Sequence, residues 1–337
     1  MNHAPKQTIT LIGLGALGKV IVFKANSRNL SIQAIVRHHT KMNCEYLLND
    51  TDGVSHKLNV ACNDFEMLSQ SDLILLTVKA FSIIEILEQF DKILPCDVPI
   101  ILINNGMGIK EQIEARLPHR KHQFYQVITT MAAYTDSLGT HFVSKGMSYY
   151  GKIFTSSIQS KSCMSFTELN KKERRHTENE ALTMFESLFL ENGEISLIHR
   201  VHEISYYQLE KLYINALINP LTVKYQCLNG GLLDHINELN LLIDEILLFH
   251  SALHSSNAIS QNLSRDELYF KLMDVIQKTQ YNQSSMLQDF LASRRLEIEE
   301  ISGYILKKSA LMCLDLPATQ LLYEEVKKRI LREPIKH

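Results

Sequence analysis

The sequence has almost no excess charge of either sign. Among its 337 residues, 35 Lys and Arg stand against 37 Asp and Glu, which gives a formal net charge of -2. A chain so close to neutral lacks the broad basic field that attracts nucleic acid or an anionic membrane surface. Long apolar runs are also missing, since no stretch approaches the ~18 residues that span a bilayer. We therefore expect no nucleic-acid partner and no membrane association.

Cysteines and histidines at metal-binding spacing are scarce as well. The six cysteines are scattered, with no Cys-x-x-Cys pair. This argues against a zinc ribbon and against a disulfide framework, and it suits a reducing cytosol. His250 and His254 lie four residues apart, but the residues between them lack the Glu of a zinc-hydrolase motif, and no third ligand is evident. We expect a cytoplasmic protein without a metal site.

The periodicity of the chain changes near residue 200. Before it, short β-branched and apolar runs alternate with helical patterns, which is typical of βαβ units and a mostly parallel sheet. After it, segments with a 3.6-residue period dominate, which indicates helices. The predicted strands of the first part are 7–13, 31–37, 57–61, 72–78, 100–104 and 124–130, and its predicted helices are 16–28, 83–94, 109–117 and 180–190. The predicted helices of the second part are 203–226, 236–256, 265–279 and 316–332.

Two further segments complete this prediction. Residues 142–143 and 147–154 suggest a hairpin, and residues 155–180 are a polar excursion rich in Ser, Lys, Glu and Asn. We predict an α/β protein in which residues 1–200 form a Rossmann-type doubly wound sheet and residues 201–337 form an all-α domain.

A glycine-rich hexapeptide follows the first predicted strand and opens a helix. Gly13-Leu14-Gly15-Ala16-Leu17-Gly18 has the spacing Gly-x-Gly-x-x-Gly. In a dinucleotide-binding turn the first glycine makes the tight turn, the second admits the pyrophosphate, and the third allows close packing of helix and strand. The helix N-terminus adds partial positive charge. The sequence therefore predicts a dinucleotide site, with an unliganded glycine-rich turn as the alternative.

The second predicted strand ends in a basic residue, Arg37. Enzymes that use NAD carry an acidic residue near this point for the ribose hydroxyl, whereas an Arg accommodates the 2′-phosphate of NADP. The stretch from Arg37 to Lys41 holds no carboxylate. We expect NADP as the cofactor, and the alternative is an ordinary solvated basic loop.

Separate short segments, spread in order along residues 7–310, match the motifs of one family. They are the opening Ile-Gly-Leu-Gly-Ala-Leu-Gly at 12–18, Thr-Val-Lys at 77–79, Asn-Asn-Gly-Met-Gly at 104–108, the helix from Glu210 to Thr222, Asn-Gln-Ser-Ser-Met-Leu-Gln-Asp at 282–289, and Arg-Arg-Leu-Glu-Ile-Glu at 294–299. Together they resemble the ketopantoate reductase (2-dehydropantoate 2-reductase) family.

This resemblance implies a helical domain like that of 6-phosphogluconate dehydrogenase, NADP as the cofactor, and a small 2-oxo acid as the partner. The implied reaction is the NADPH-dependent reduction of 2-dehydropantoate to (R)-pantoate in pantothenate biosynthesis. Leu296 and Glu299 replace the family's usual Thr and Asp, and residues 155–180 look like an insertion. A related reductase for a different 2-oxo acid and a non-catalytic NADP-binding sensor therefore stay open, as do a monomer and a homodimer.

Reduction of a 2-oxo acid needs a hydride donor, an acid for the carbonyl oxygen and groups that hold the carboxylate. Lys211, Asn215 and Asn219 are spaced four residues apart on a helix patterned for burial, so they share one face. Burial would bring the pKa of a lysine toward neutrality. By resemblance Lys211 is the general acid, and the alternative is a polar stripe that faces solvent.

The resemblance assigns the remaining site residues. Asn105 positions the nicotinamide and the substrate carbonyl, and Glu297 holds the substrate hydroxyl. Lys79 ends a predicted parallel strand, where open α/β sheets bind ligands, so we assign it to the cofactor site on that ground. Further candidate substrate contacts are Asn229, Asn282 and Ser285. The plainer alternatives are a turn residue for Asn105, surface charge for Glu297, and helix caps for the Asn and Ser residues. If the functional assignments hold, residues of both domains line one interdomain cleft.

Overall fold

A computed structural model of the protein describes residues 7–37, 42–154, 177–191, 195–256 and 258–332. Contacts between residues divide the chain into two units. The first, here called the sheet unit, comprises 1–104 and 109–205. The second, the helical unit, comprises 105–108 and 206–337. The short segment with Asn105 thus groups with the helical unit, although sequence reasoning placed it in the first domain.

The sheet unit is built on an 11-stranded mixed sheet. Its strands are β1 (Thr8–Ile12), β2 (Ser31–Ile35), β3 (Met42–Asn49), β4 (Ser55–Cys62), β5 (Leu73–Leu76), β6 (Ile100–Ile103), β7 (Phe124–Thr129), β8 (Ala132–Asp136), β9 (Gly139–Ser144), β10 (Ser148–Lys152) and β13 (Ile198–Arg200). They lie in the order β13-β10-β7-β6-β5-β1-β2-β4-β3-β9-β8. A separate two-stranded pair consists of β11 (Leu190–Glu191) and β12 (Ile195–Ser196).

Helices cover both faces of the central strands. The helices of this unit are α1 (Ala16–Asn26), α2 (Phe65–Ser69), α3 (Ala80–Phe90), α4 (Ile109–Arg116) and α5 (Glu178–Ser187), with a 3₁₀ turn at Pro118–Gln123. In β5, Leu73 and Leu75 join the core with α1 and α5, whereas Ile74 and Leu76 join the core with α3 and α4. Because both faces are buried, β5 and β6 are apolar at every position. The predicted doubly wound arrangement is confirmed.

The order of the sheet reverses beside β1. This strand pairs in parallel with β2 on one side and with β5 on the other, so Ile12 lies between Ile35 and Leu76. The chain therefore continues from β1 to β2 on one side of β1, and later returns to place β5 on the other side. Such a switch point is where open α/β sheets bind ligands, at the carboxyl ends of the strands. Gly13 follows β1 at this edge.

The structure differs from the prediction in strands β3, β8, β9 and β10. Strands β3 and β8 were not foreseen, and the predicted hairpin of 142–143 with 147–154 is wrong. β9 pairs with β3 and β8, whereas β10 pairs with β7 and β13. The hairpin turn lies earlier, where the carboxylate of Asp136 accepts from the N–H of Leu138 and Gly139 has a φ of 126°. Of the predicted excursion, residues 155–176 lie outside the described residues, while α5 begins at Glu178.

The helical unit contains α6 (Ile204–Tyr225), α7 (Ile236–Ser255), α8 (Arg265–Lys278), α9 (Ser285–Leu291), α10 (Ser302–Leu311) and α11 (Pro317–Arg332), with a 3₁₀ turn at Asn229–His235. α6 begins two residues before the boundary of the unit. The four long predicted helices match α6, α7, α8 and α11, and their shared core includes Leu212, Leu217 and Phe249. Within the described ranges no strand follows Arg200, so the predicted all-α second part is confirmed. Across those same ranges, no helix combines the length and apolar character that a membrane span requires.

Candidate functional site

The glycine turn after β1 is too crowded for side chains at two positions. Gly13 has a φ of 101°, and a Cβ there would lie 2.7 Å from Cγ1 of Val78. A Cβ on Gly18 would lie 2.3 Å from the carbonyl oxygen of Gly13. That carbonyl also accepts from the hydroxyl of Thr77, at 2.7 Å. Strand, turn and helix are therefore packed against each other as a dinucleotide-binding turn requires.

Gly15, between them, faces open space. A Cβ built there meets no described heavy atom within 4 Å. Gly15 is also the N-cap of α1, where no side chain caps the helix and the first turn carries no acidic residue. The helix N–H groups and their partial positive charge are thus suited to an anion. The turn Gly13–Gly18 therefore fits a pyrophosphate, with Leu14 and Leu17 packed toward the core and Ala16 starting the helix.

Arg37 and Lys79 follow the two strands that flank β1. The side chain of Arg37 is exposed, and the residue before it is fixed because the N–H of Val36 donates to Oδ1 of Asn63 at 2.9 Å. The N–H of Gly13 donates to the carbonyl of Ile35 at 3.0 Å, which ties the turn to the end of β2. Lys79 is the N-cap residue of α3. His38 to Lys41 lie outside the described residues.

The helical unit holds Lys211 on α6. Burial lowers the pKa of its ammonium group to about 8, and the negative charge of Glu297 acts against that shift. Glu297 is itself only 5% exposed. The surface-charge alternative for Glu297 is therefore not what the structure shows. A lysine whose pKa lies near neutrality can donate a proton at physiological pH.

A small polar pocket lies beside Glu297 in the helical unit. Its lining residues are Asn219, Ser285, Met286, Asp289, Glu297 and Ile301. Three of the predicted site residues, from three separate sequence segments, are thus brought together. Asp289 was quoted only as part of a motif, and sequence reasoning gave it no role. Its carboxylate accepts from Nε of Arg294 at 2.8 Å.

Ser284, the residue before Ser285, caps α9. Its hydroxyl accepts from the N–H of Leu287 at 3.0 Å and lies 2.6 Å from the hydroxyl of Thr222 on α6. Ser285 therefore does not serve as the helix cap, and its side chain lines the pocket instead. The contact between Ser284 and Thr222 fixes α9 against α6, and hence Ser285 relative to Asn219.

The other predicted substrate residues lie outside the pocket lining. Asn215 is half-buried on α6, one turn from Lys211 and one turn from Asn219. Asn229 is buried, and its side-chain N–H donates to Thr279 at 2.9 Å. Its backbone N–H donates to the carbonyl of Asn282, whose own side chain is exposed.

The loop with Asn105 is fixed to the segment that carries Glu297. Gly106 has a φ of 78°, and a Cβ there would lie 2.7 Å from Cβ of Glu300. The N–H of Met107 donates to the carbonyl of Glu300 at 2.9 Å. Burial raises the pKa of Glu300, and its Oε2 has no hydrogen-bond partner among the described residues. Sequence reasoning gave Glu300 no role, and nothing in the run of acidic residues around it signals that it is partly buried.

His250 is a buried histidine with partners on both ring nitrogens. Its Nε2 lies 3.1 Å from the carbonyl of Gln261, and its Nδ1 lies 3.2 Å from the hydroxyl of Tyr213. Since a carbonyl only accepts, Nε2 carries the proton and the tyrosine hydroxyl donates to Nδ1. In the described ranges, no group of three His, Cys, Asp or Glu side chains is placed to hold a metal ion.

A doubly wound sheet with a dinucleotide-type turn, followed by a helical unit with a partly buried lysine and a buried glutamate, defines the class of two-domain Rossmann-type oxidoreductases. Comparison with family models narrows the class. Residues 9–153 match the model described as ketopantoate reductase PanE/ApbA, and residues 203–329 match its C-terminal counterpart. The chain belongs to the ketopantoate reductase family.

Individual relatives agree with this family. A 2-dehydropantoate 2-reductase of Salmonella typhi is 28% identical over 323 residues, which covers 95% of this chain and 94% of that protein. A solved 2-dehydropantoate 2-reductase from Geobacter metallireducens GS-15 gives a TM-score of 0.76 at 16% identity, covering 95% of this chain and 99% of that chain. D-mandelate dehydrogenase, solved with NADH and anilino(oxo)acetate, gives 0.75 at 17% identity and covers 97% and 99%. At these identities the two solved structures establish the fold alone.

Proposed function

We propose that this protein reduces 2-dehydropantoate to (R)-pantoate with NADPH, as a step of pantothenate biosynthesis. The observation that carries the proposal is the partly buried Lys211, whose pKa is lowered to about 8 by burial while the charge of Glu297 acts against that shift. A binding protein that only senses a nucleotide needs the glycine turn but has no use for a lysine with a lowered pKa beside a buried glutamate in the other unit.

Lys211 is assigned the role of general acid. The cofactor, when bound, supplies the hydride to the carbonyl carbon of the substrate. The ammonium group of Lys211 donates a proton to the carbonyl oxygen, and it stabilises the negative charge that develops there. Glu297 keeps Lys211 protonated through its negative charge and accepts a hydrogen bond from the substrate hydroxyl.

Neutral polar groups are assigned to hold the rest of the substrate. Asn219 and Ser285, which line the pocket with Glu297, donate to the substrate oxygens. Asn215, Asn282 and Asn105 are further candidates, with Asn105 also placed against the nicotinamide. Asn229 is the weakest candidate, because its side chain is buried against Thr279. We place cofactor binding in residues 1–200 and substrate binding in residues 201–337.

The cofactor is assigned as NADP on the strength of Arg37. This exposed guanidinium follows β2 beside the glycine turn, where it suits a 2′-phosphate. NADPH should bind more tightly than NADH by a charge-assisted interaction of ~1.5–3 kcal/mol. Fluorescence titration of wild type and Arg37→Ala tests this, since the variant should lose NADPH affinity and keep its NADH affinity. Equal affinities of the wild type for both cofactors would remove the NADP assignment.

A different 2-oxo acid is the second candidate substrate, because D-mandelate dehydrogenase has the same fold. A steady-state assay that follows NADPH absorbance against a panel of 2-oxo acids separates the two. We expect the highest kcat/KM with 2-dehydropantoate. A higher value with another acid would reassign the substrate, and NADPH binding without turnover of any acid would indicate the sensor. A cytoplasmic location and a monomeric or homodimeric state stay predictions, the latter open to light scattering.

A further inference from the structure

Two cysteines that the proposed mechanism does not use are in contact in the sheet unit. Cys44 lies on β3 and Cys62 ends β4, and their sulfur atoms are 2.8 Å apart. The antiparallel register pairs Cys44 with Val60, two residues before Cys62, so both thiols project from the same face. A disulfide bond measures about 2.0 Å. The sulfurs can therefore join without separating the two strands.

The surroundings give the two thiols different reactivity. Cys62 is fully buried, and burial together with the neighbouring Cys44 holds the pKa of its thiol above the ordinary value. Cys44 is only half-buried and interacts electrostatically with the ammonium group of Lys19. The thiolate is the nucleophilic form of cysteine, and a partly exposed thiol is accessible to an oxidant in solution. We therefore expect an oxidant to react first with Cys44, and Cys62 to act as the resolving thiol.

The thiol pair is connected to the cofactor turn at two points. Lys19 belongs to the first turn of α1, and its carbonyl accepts from the hydroxyl of Tyr46, two residues after Cys44. On the other side, Asn63 follows Cys62 directly and has a left-handed φ of 62°. Its side-chain oxygen accepts from the N–H of Val36, the residue before Arg37. A displacement of Cys62 is therefore transmitted to the segment that carries Arg37.

We propose that Cys44 and Cys62 are an oxidisable dithiol, which a hydroperoxide converts to a disulfide and which thereby weakens NADPH binding; the effect on NADPH rests on the proposed function. The Cys44 thiolate attacks one peroxide oxygen, the O–O bond breaks, and the leaving oxygen takes a proton, which gives a sulfenic acid and an alcohol or water. The sulfur of Cys62 then attacks that of Cys44, the S–O bond breaks, and the hydroxide leaves as water with the Cys62 proton. Two thiols are oxidised and one peroxide is reduced.

The expected change in affinity follows from the link through Asn63. Closure of the bond draws Cys62 toward β3 and pulls Asn63 away from Val36. Loss of that single hydrogen bond corresponds to a roughly two- to tenfold weaker affinity. The loss of affinity should be larger for NADPH than for NADH, because Arg37 is the group that is displaced.

The test combines peptide mapping with cofactor titration on the full chain. Reduced protein is treated with hydrogen peroxide, digested and analysed by mass spectrometry, and its affinity for NADPH is measured before treatment, after it, and after dithiothreitol. We expect a linked pair of peptides containing Cys44 and Cys62, with a rise in the Kd of NADPH that dithiothreitol reverses. Absence of the linked pair, or a linked pair with an unchanged Kd, overturns the proposal. If the reduced protein binds no NADPH while the link forms, the cofactor assignment has failed and the dithiol chemistry stands.

Three variants separate the roles of the thiols. Cys62→Ser should accumulate oxygen on Cys44 without forming a link, because the resolving thiol is missing. Cys44→Ser should form no link and keep its NADPH affinity under peroxide. Cys313→Ser, which removes an exposed thiol of the helical unit, is the matched control and should respond as wild type does. Oxidation that starts at Cys62 in Cys44→Ser would contradict the assigned order of attack.

Discussion

At the scale of single residues, Lys211 is the proposed general acid. Lys211→Met keeps most of the side-chain length and removes the acidic proton. Turnover should fall by roughly 10²–10⁴ through loss of general-acid catalysis, while the Kd of NADPH should hardly change. Lys271→Met, which removes the exposed partner of Glu210 in the same unit, is the control and should keep its turnover. Near-normal kcat of Lys211→Met on 2-dehydropantoate would move the acid elsewhere, with Lys79 the next candidate.

The coupling between Lys211 and Glu297 can be measured by the pH profile. Burial lowers the pKa of Lys211 to about 8, and Glu297 raises it against that effect. Only the protonated lysine is an acid, so kcat/KM should decline as pH rises through about 8. Without the carboxylate, in Glu297→Gln, the pKa of Lys211 falls further and the decline should begin at lower pH. An alkaline limb at the same pH in both proteins would show that the two groups do not interact.

Lys24 is a buried lysine of the sheet unit, and its ionisation should change the free energy of unfolding. It is 7% exposed on α1, and its ammonium lies 5.4 Å from the ring centre of Phe142. Burial, followed by the charges of Arg28 and Lys145, lowers its pKa from 10.5 to about 8. The folded protein thus binds fewer protons than the unfolded chain between about pH 8 and pH 10.5, so stability rises with pH across that window.

The variant Lys24→Met removes the free-energy penalty of burying a charged ammonium group. Below pH 8 the wild type carries the full penalty, so the variant should be more stable at pH 7 by on the order of 1–3 kcal/mol. The gain should shrink toward pH 10.5. Urea unfolding at both pH values measures it, and Lys92→Met, an exposed lysine of the same unit, should show neither effect. A loss of stability at pH 7 would mean that the ammonium is better compensated than its burial implies.

At the scale of elements, Glu245 joins two helices of the helical unit. This buried residue of α7 accepts from the N–H groups of Ala318 and Thr319, at 2.7 and 2.8 Å, in the first turn of α11. Glu245→Ala would leave those donors without their acceptor and should destabilise the protein by about 1–3 kcal/mol. Glu245→Gln, which keeps one acceptor oxygen, should lose less stability than Glu245→Ala. In urea unfolding, the exposed neighbour Asp244→Asn should stay close to wild type, and equal stability of all variants would contradict this capping role.

The elements differ in how far the sequence predicts them, and burial explains the difference. β5 and β6 are buried on both faces, so their apolar runs stand out in the sequence. In β3, with the sequence Met-Asn-Cys-Glu-Tyr-Leu-Leu-Asn, nearly every position is exposed or half-buried. It pairs with β4, which follows it directly in the chain, and with β9, which belongs to a distant segment. No local pattern signals such a partner. The same reason explains the wrong hairpin at 142–154, because strand pairing is a tertiary property.

The candidate site shows the same limit. The spacing of Lys211, Asn215 and Asn219 on one helix face is visible in the sequence. That Asn219 shares a pocket with Ser285 and Glu297 depends on the packing of α6 against α9, which no short-range pattern encodes. The burial of Glu300 against Gly106 was missed for the same reason. The motifs identified the candidate site residues, and the structure shows which of these residues lie close together.

At the scale of the whole molecule, the residues assigned to the proposed reaction are divided between two units. The glycine turn and Arg37 lie in the sheet unit, while Lys211 and Glu297 lie in the helical unit. Neither unit should catalyse alone, because the proposed cofactor turn and the proposed general acid belong to different parts of the chain. Cofactor affinity and turnover are therefore separable, as the variants of Arg37 and Lys211 should show.

The most direct measurement of the central claim follows the hydride itself. The purified protein is incubated with 2-dehydropantoate and NADPH that carries deuterium at both C4 positions, and the product is analysed by mass spectrometry and NMR. We expect (R)-pantoate with one deuterium at C2, formed in equal amount to the NADPH consumed, and almost none of it with Lys211→Met. NADPH that binds but yields no deuterated pantoate would contradict the claim that this chain is a 2-dehydropantoate reductase.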